Sequence, residues 1–339
     1  MMGLRVVSLA KEPGMSSFSD WKVPAAFQPK ADEYTFDLEG ALSSVLYISS
    51  VVPENAFSAA TLGTERAGNA VFIREPGLVL TVGYLVNEAQ SVWLRTGEGQ
   101  VVAADVVGID HTTGFALVQA LGRLEAKPMP LGDSDAVQIG DEVVLAGGGG
   151  RQRAVAAHVA ARQPFAGYWE YLLENAIFTA PSHPNWGGAA LIGPSGDLVG
   201  IGSLQLEQQR RKGITENINM SIPINLLKPV MEDILTMGQP NRPPRPWIGV
   251  YATEIEDKVV LMGVADRGPA KRANLRAGDV ILSIAGAPVV NLASFYKRLW
   301  ALGTAGVKAP LSLLRDGRAL DVVLKSEDRN RVANSPRLH

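Results

Sequence analysis

The chain has 339 residues, 46% of them hydrophobic, which is enough apolar material for two or three cores and excludes a disordered chain. Its 32 basic and 34 acidic residues are interspersed and sum to a net charge of −2, leaving no electrostatic footprint for nucleic acid or an anionic lipid surface. There is no cysteine, so disulfides, thiolate metal sites and cysteine nucleophiles are excluded, and 35 glycines and 21 prolines without a repeat period suit a mainly β architecture with many turns.

Residues 1–36 carry Pro13, Pro24 and Pro29 among the aromatics Phe18, Trp21, Phe27 and Tyr34 and show neither helical nor strand periodicity, so they read as an N-terminal arm. The apolar run from Val6 to Ala10 stops at Lys11, short of the roughly 7 to 15 apolar residues of a signal peptide. As written the chain therefore reads as cytoplasmic, and as periplasmic if a leader is missing. No stretch approaches the roughly 18 uninterrupted apolar residues of a membrane span.

Residues 37–238 contain strand-length apolar runs broken by Gly, Pro, Asn or Asp: 71–73, 77–81, 91–94, 101–107, 115–120, 142–146 and 198–203. Arg210, Arg211 and Lys212 read as a solvated loop. From Ile224 to Met237 the period changes, with Leu226, Leu227, Val230, Met231, Ile234 and Leu235 on one helical face and Gly238 as C-cap. Four prolines within residues 239–246 make a stiff linker. Residues 247–326 form a second domain, with strands at 247–253, 259–264, 279–284, 310–314 and 320–325. Its amphipathic helix follows the N-cap Asn291, and residues 327–339 form a polar, frayed tail.

Three strings carry the functional reading: Leu80-Thr81-Val82-Gly83-Tyr84-Leu85-Val86, Asp110-His111-Thr112-Thr113-Gly114-Phe115-Ala116-Leu117, and Asn185-Trp186-Gly187-Gly188. With Leu131 to Asp135, Ile139 to Asp141, Ser221 to Leu226 and Ala277 to Gly286, they resemble the HtrA/Deg family of trypsin-like serine proteases. The resemblance implies a mainly β fold: a trypsin-like double six-stranded β-barrel followed by one PDZ domain, itself β-sandwich-like with helices. It also places Tyr84 where the family carries its histidine, Gly114 at the acid, Trp186 at the serine, and Pro184 at the glycine whose N–H serves the oxyanion hole.

Each replacement removes a part of the chemistry. An indole N–H is no nucleophile, a phenol titrating near pH 10 is a poor base at neutral pH, glycine has no side chain to orient one, and proline has no N–H to donate. Of the four histidines, His183 beside Ser182 reads as a solvated loop side chain, His111 as a variable motif position, His158 as a core or edge residue, and His339 is terminal. Gly193 to Asp197 reads as a hairpin turn, and Gly147 to Gly150 lacks the ending of a phosphate loop. No histidine pair has metal spacing, and neither metal nor cofactor is expected.

For the second domain the resemblance implies capture of protein or peptide C-termini, with Trp247-Ile248-Gly249-Val250 as the carboxylate loop and Leu292, Phe295 and Leu299 as groove-lining or core residues. The expectation is a non-enzyme, a pseudoprotease acting as a scaffold or regulator in protein quality control. The alternatives are an HtrA-type endopeptidase using non-standard residues, or a structural oligomerisation protein. A homotrimer joined through Trp21 and Phe27 stands beside packing of both aromatics on their own domain.

Overall fold

The structure is a computed structural model that describes residues 4–6, 21–209 and 215–332. The described residues divide into two compact units, one formed by those up to Gln163 together with Asn175–Asn241, the other by Pro164–Glu174 together with residues 242–332. The segment Pro164–Glu174 therefore leaves the first unit and groups with the second, although it lies inside the 37–238 domain drawn from sequence.

In the first unit, β1 (Leu4–Val6) is followed by β2 (Val45–Val51), β3 (Glu65–Arg74), β4 (Leu78–Val82), β5 (Ser91–Arg95), β6 (Val101–Asp110) and β7 (Phe115–Ala120). Strands β2 to β7 close into a six-stranded barrel in the order β2-β3-β4-β7-β6-β5. Strand β6 alternates buried and less buried residues, as a strand with one solvated face must, whereas every residue of β4 is buried. Then come β8 (Glu142–Ala146), β9 (Ala154–Gly167), β10 (Tyr171–Ala180), β11 (Ala190–Ile192), β12 (Leu198–Gln209) and β13 (Thr215–Pro223). The sheet order β12-β11-β8-β9-β10-β13 is closed by pairing of β12 with β13, giving a second six-stranded barrel to which β1 adds at β12. The closing helix Met231–Met237 ends on Gly238, whose φ of 72° is left-handed and whose amide returns to the Ile234 carbonyl at 2.8 Å.

The second unit holds β14 (Val250–Ile255), β15 (Lys258–Val264), β16 (Val280–Ile284), β17 (Ala287–Pro288), β18 (Lys308–Arg315) and β19 (Arg318–Lys325), ordered β14-β15-β16-β18-β19 with β17 on β16. Its helix Leu292–Trp300 begins with a reciprocal cap: Asn291 Oδ1 accepts from the Ser294 amide at 2.7 Å, and Ser294 Oγ accepts from the Asn291 amide at 3.0 Å. Leu292, Phe295, Tyr296 and Leu299 turn from that helix into a core shared with Ile248, Val250, Leu261, Leu311, Leu313 and, from the distant segment, Leu172.

Every strand expected from sequence is present, as is the helix after Asn291; the helix expected from Ile224 to Met237 is shorter, a 3₁₀ turn at Ile224–Leu226 preceding Met231–Met237, and Leu226 is exposed. Strands β2, β9, β10, β13 and β17 were not anticipated. The N-terminal arm also differs, because β1 is a strand and Trp21 packs on the second barrel's core, its ring edge-on to His183 at 5.4 Å and beneath the Arg153 guanidinium at 5.1 Å. Phe27 remains exposed. The tail is not frayed from Glu327: Trp247 and Glu327 exchange backbone hydrogen bonds at 3.0 and 2.9 Å, and residues Arg329–Val332 form a helical turn. Arg210, Arg211, Lys212 and His339 lie outside the described residues.

The capping box gives a direct check on the second unit. Asn291→Ala is expected to cost about 1 kcal/mol, read as a lower denaturant midpoint at unchanged slope; an unshifted midpoint would show that the cap carries no stability.

Candidate functional site

The three altered positions do converge. Tyr84 lies in the single helical turn Gly83–Val86 that follows β4, and Gly114, at φ 87°, lies in the turn joining β6 to β7. The Gly83 amide donates to the Gly114 carbonyl at 2.7 Å, so positions 84 and 114 abut. Trp186 lies in the loop between β10 and β11. The Tyr84 hydroxyl donates to the Ser203 carbonyl at 3.0 Å, and a Cβ placed on Gly187 would stand 2.8 Å from that hydroxyl, so the Tyr84 side chain reaches the residue beside Trp186. Tyr84 and Trp186 are half-buried and Pro184 is exposed.

Buried polar groups that sequence reading missed hold this arrangement. Asn69 on β3 ties two loops together: its Nδ2 donates to the Asn185 and Gly187 carbonyls at 2.9 and 3.1 Å, its backbone amide donates to Gly187 at 2.7 Å, and its Oδ1 accepts from the Gly148 amide at 2.9 Å. Arg66 Nη1 donates to the Tyr84 and Asn87 carbonyls, both at 2.9 Å, while Nη2 reaches Ser58 Oγ at 2.8 Å, and Glu88 accepts from Ser58 and from the Phe57 amide. Burial lowers the Arg66 pKa to about 10, against the pull of Glu88.

His183 requires a correction. It is fully buried rather than solvated: Nδ1 accepts from the Asn185 amide at 3.0 Å, leaving the protonated Nε2 to donate to the Arg153 carbonyl at 2.7 Å. Burial pushes its pKa down to about 4, so it stays neutral and shapes the loop that carries Trp186. His158 is corrected too, since it stands exposed on β9 opposite Glu142. His111 and Ser182 are half-buried. Among the described residues no group of three or more His, Cys, Asp or Glu side chains is placed to hold a metal ion.

In the second unit, Trp247, Ile248 and Val250 are buried, and Gly249 at φ 78° takes the left-handed backbone that turns three consecutive amides toward one point. A carboxylate stands at that point. Glu170 Oε1 accepts from Gly249 at 2.7 Å, Val250 at 3.0 Å and Ile248 at 3.3 Å, and Oε2 accepts from Ile248 at 3.2 Å. Burial raises the Glu170 pKa to about 7, opposed by the amides of Val250, Ile248 and Gly249 and by the Arg329 charge. Leu292, Phe295 and Leu299 are buried on the apolar side of the same core as Ile248 and Val250. Glu170 was missed from sequence; the available signal is a lone acid in an aromatic run, Tyr168-Trp169-Glu170-Tyr171.

Comparison with known proteins agrees with this layout. Residues 68–201 match the trypsin-like peptidase domain family and residues 246–325 the PDZ domain family. The periplasmic serine endoprotease DegP of Escherichia coli (strain K12) is 28% identical over 286 residues, covering 79% of this chain and 59% of that protein. The periplasmic pH-dependent serine endoprotease DegQ of the same strain is 28% identical over 274 residues, covering 76% and 58%. The chain thus spans about six-tenths of the length of these relatives. A solved structure of the HtrA-type protease AlgW with a decapeptide is alike in fold, with a TM-score of 0.51 at 23% identity over 87% of this chain and 99% of that one.

Fold and matches together define a trypsin-like peptidase domain followed by one PDZ domain. The chain is homologous to the DegP/HtrA family. Two expectations are corrected by this result. The non-enzyme expected from the altered positions conflicts with a family whose members are named serine endoproteases, and replacement at inherited positions does not by itself demonstrate inactivity. The cytoplasmic reading finds no support in relatives named periplasmic; no helix among the described residues is long and apolar enough to cross a membrane.

Because His183 binds its proton less tightly when folded than its ordinary value of 6.5 allows, the unfolded chain takes up a proton first as the pH falls. Stability is therefore expected to decline between about pH 6.5 and pH 4 by on the order of 3 kcal/mol. His183→Gln, less stable at neutral pH, should lose that acid-side slope in urea titrations; parallel profiles would contradict a neutral buried imidazole.

Proposed function

We propose that the chain acts as a peptide- and protein-binding scaffold or regulator of the HtrA type, capturing the carboxyl-terminal ends of protein chains through its PDZ unit. The observation that carries this reading is the convergence of the Ile248, Gly249 and Val250 amides on a carboxylate. Backbone donors in such a loop recognise a terminal carboxylate while the adjoining strand edge pairs with the extended peptide. Trp247 anchors the loop through Glu327, and Leu292, Phe295 and Leu299 supply the apolar wall behind it. The peptide-bearing AlgW structure is consistent with that use of the fold.

The functional domains under this reading are 37–238 and 247–326, joined by the proline-rich 239–246, with residues 1–36 and 327–339 flanking them. The compartment is the periplasm, as in the relatives' names, the assembly a homotrimer, and the setting protein quality control. Binding needs no chemistry from Tyr84, Gly114, Trp186 or Pro184.

One observation favours a second reading, endopeptidase activity: the trypsin-like match covers positions 84, 114 and 186, and the relatives are named endoproteases. It requires a serine and base other than those inherited positions. That reading predicts cleavage of unfolded casein, blocked by a fluorophosphonate probe that labels a serine; absence of both would sink it.

For the binding reading, labelled peptides with a free C-terminal carboxylate are expected to bind the full chain at least about tenfold more tightly than the same peptides amidated, since a buried amide cradle left without its charged acceptor loses several charge-assisted bonds. Equal binding of the two forms in fluorescence anisotropy would overturn it.

A further inference from the structure

We infer that the carboxylate-capture loop Ile248 to Val250 already holds a ligand built into the chain, the side chain of Glu170, and that an external C-terminal carboxylate binds only by displacing the segment Pro164–Glu174. This inference rests on the carboxylate-capture reading above and specifies what an incoming peptide must compete with.

The segment mimics a bound strand at three levels. The Glu170 carboxylate occupies the three-amide cradle. Two residues earlier in the segment, the Tyr168 carbonyl accepts from the Ala252 amide at 2.8 Å, and Ala252 is two residues beyond Val250 on β14. A two-residue step on both chains is the repeat at which an added strand meets a sheet edge. Leu172 then enters the apolar core beside Ile248, Val250, Phe295 and Leu299, the place a ligand side chain would take.

The remaining contacts hold this pose. Glu170 has a φ of 58°, a left-handed backbone that a non-glycine residue keeps only when its surroundings enforce it. The Glu170 amide donates to the Tyr296 hydroxyl at 3.2 Å, and that hydroxyl donates to the Gly167 carbonyl at 2.7 Å. Lys297 and Glu174, 3.0 Å apart, close the end of the segment at the surface. The charge environment is sparse. Arg329 from the C-terminal turn is the cation that acts on Glu170, Tyr296 faces it from the helix Leu292–Trp300, and Tyr251 from β14 and Glu254 act on Arg329 and Tyr296 respectively.

That environment adds a proton linkage. Buried, Glu170 titrates at about 7; released to water, it returns to the ordinary glutamate range near 4.3 to 4.5. Docking of the segment takes up a proton between those values, so it is tightest in acid and weakens as the pH rises through about 7. An external carboxylate, ionised throughout that range, gains the site as the segment loses it.

The test compares the full-length wild type with Glu170→Ala, and with Glu170→Gln as a neutral mimic of the protonated acid, using as probe a fluorescein-labelled synthetic peptide of residues Pro164 to Trp169, whose terminal carboxylate is its sole acid, and its amidated form as control. The free-carboxylate peptide is expected to bind Glu170→Ala at least about tenfold more tightly than the wild type at pH 5, whereas Glu170→Gln, which keeps a neutral acceptor in the loop, binds it as weakly as the wild type does in acid. In the wild type its affinity should rise from pH 5 to pH 8, with a flatter profile in the variants. Hydrogen exchange reports folding independently: the 248–252 amides should lose protection in Glu170→Ala and regain it on adding the peptide, while the β18 and β19 amides stay protected. Equal affinity for wild type and Glu170→Ala, or a wild-type pH profile as flat as that of Glu170→Gln, overturns the internal ligand while leaving carboxylate capture standing. No binding by any folded form, or equal binding of the amidated control, overturns carboxylate capture itself and the internal ligand with it.

Discussion

Three adjacent backbone amides, those of Ile248, Gly249 and Val250, are aimed away from any strand partner and lie where solvent does not reach. Unpaired donors of that kind cost about 1–3 kcal/mol each, so the loop cannot stand as folded without an acceptor. A carboxylate is well suited because it offers two oxygens and about four lone-pair sites to donors that converge from one side. The left-handed Gly249, the packing of Trp247, the pairing of Ala252 with Tyr168 and the strained backbone of Glu170 all follow from satisfying those donors. The same requirement explains why residues 164–174 belong with the second unit although the chain on either side of them builds the first.

The first unit solves a related problem with other residues. Its loops bring positions 84, 114 and 186 together, as a trypsin-like frame does, and the frame is held by groups that are not at those positions. Asn69 satisfies the carbonyls of Asn185 and Gly187, His183 receives the Asn185 amide, and Arg66 fixes the carbonyl of Tyr84. These are buried side chains with full hydrogen-bond partners, so each rigidifies a loop that would otherwise carry unpaired polar backbone. The loops that carry positions 84 and 186 are thus held independently of the side chains at those positions, and family membership and the chemistry at the centre are separate questions.

Much of this was legible from the amino-acid sequence. The strands at 71–73, 115–120 and 142–146 stood out because apolar runs were bounded by turn residues, and Asn291 marked a helix start by capping chemistry alone. Strands β9 and β10 were not legible, because Gln163, Pro164 and Gly167 break the apolar pattern at the point where the chain passes from one unit to the other. His183 looked like a loop residue between Ser182 and Pro184. Only the fold shows that Arg153, Asn185 and Asn219 surround it. Glu170 was invisible for a deeper reason: its three donors lie about eighty residues away and are backbone groups, which leave no mark in side-chain composition. The positions 84, 114 and 186 singled out from sequence lie near one another in the fold, yet the step from altered residues to a non-enzyme exceeded what residue identity at three positions can carry.

The central claim, that the amide loop is filled by a titrating carboxylate of the same chain, is tested most directly by following the backbone ¹⁵N–¹H resonances of Ile248, Gly249 and Val250 against pH in the unliganded full-length protein. A carboxylate that accepts from all three amides and titrates at about 7 predicts that the three resonances shift together with a common midpoint near that pH, and that Glu170→Gln removes the transition. Resonances that stay fixed from pH 4 to pH 9, or that titrate identically in Glu170→Gln, would contradict it.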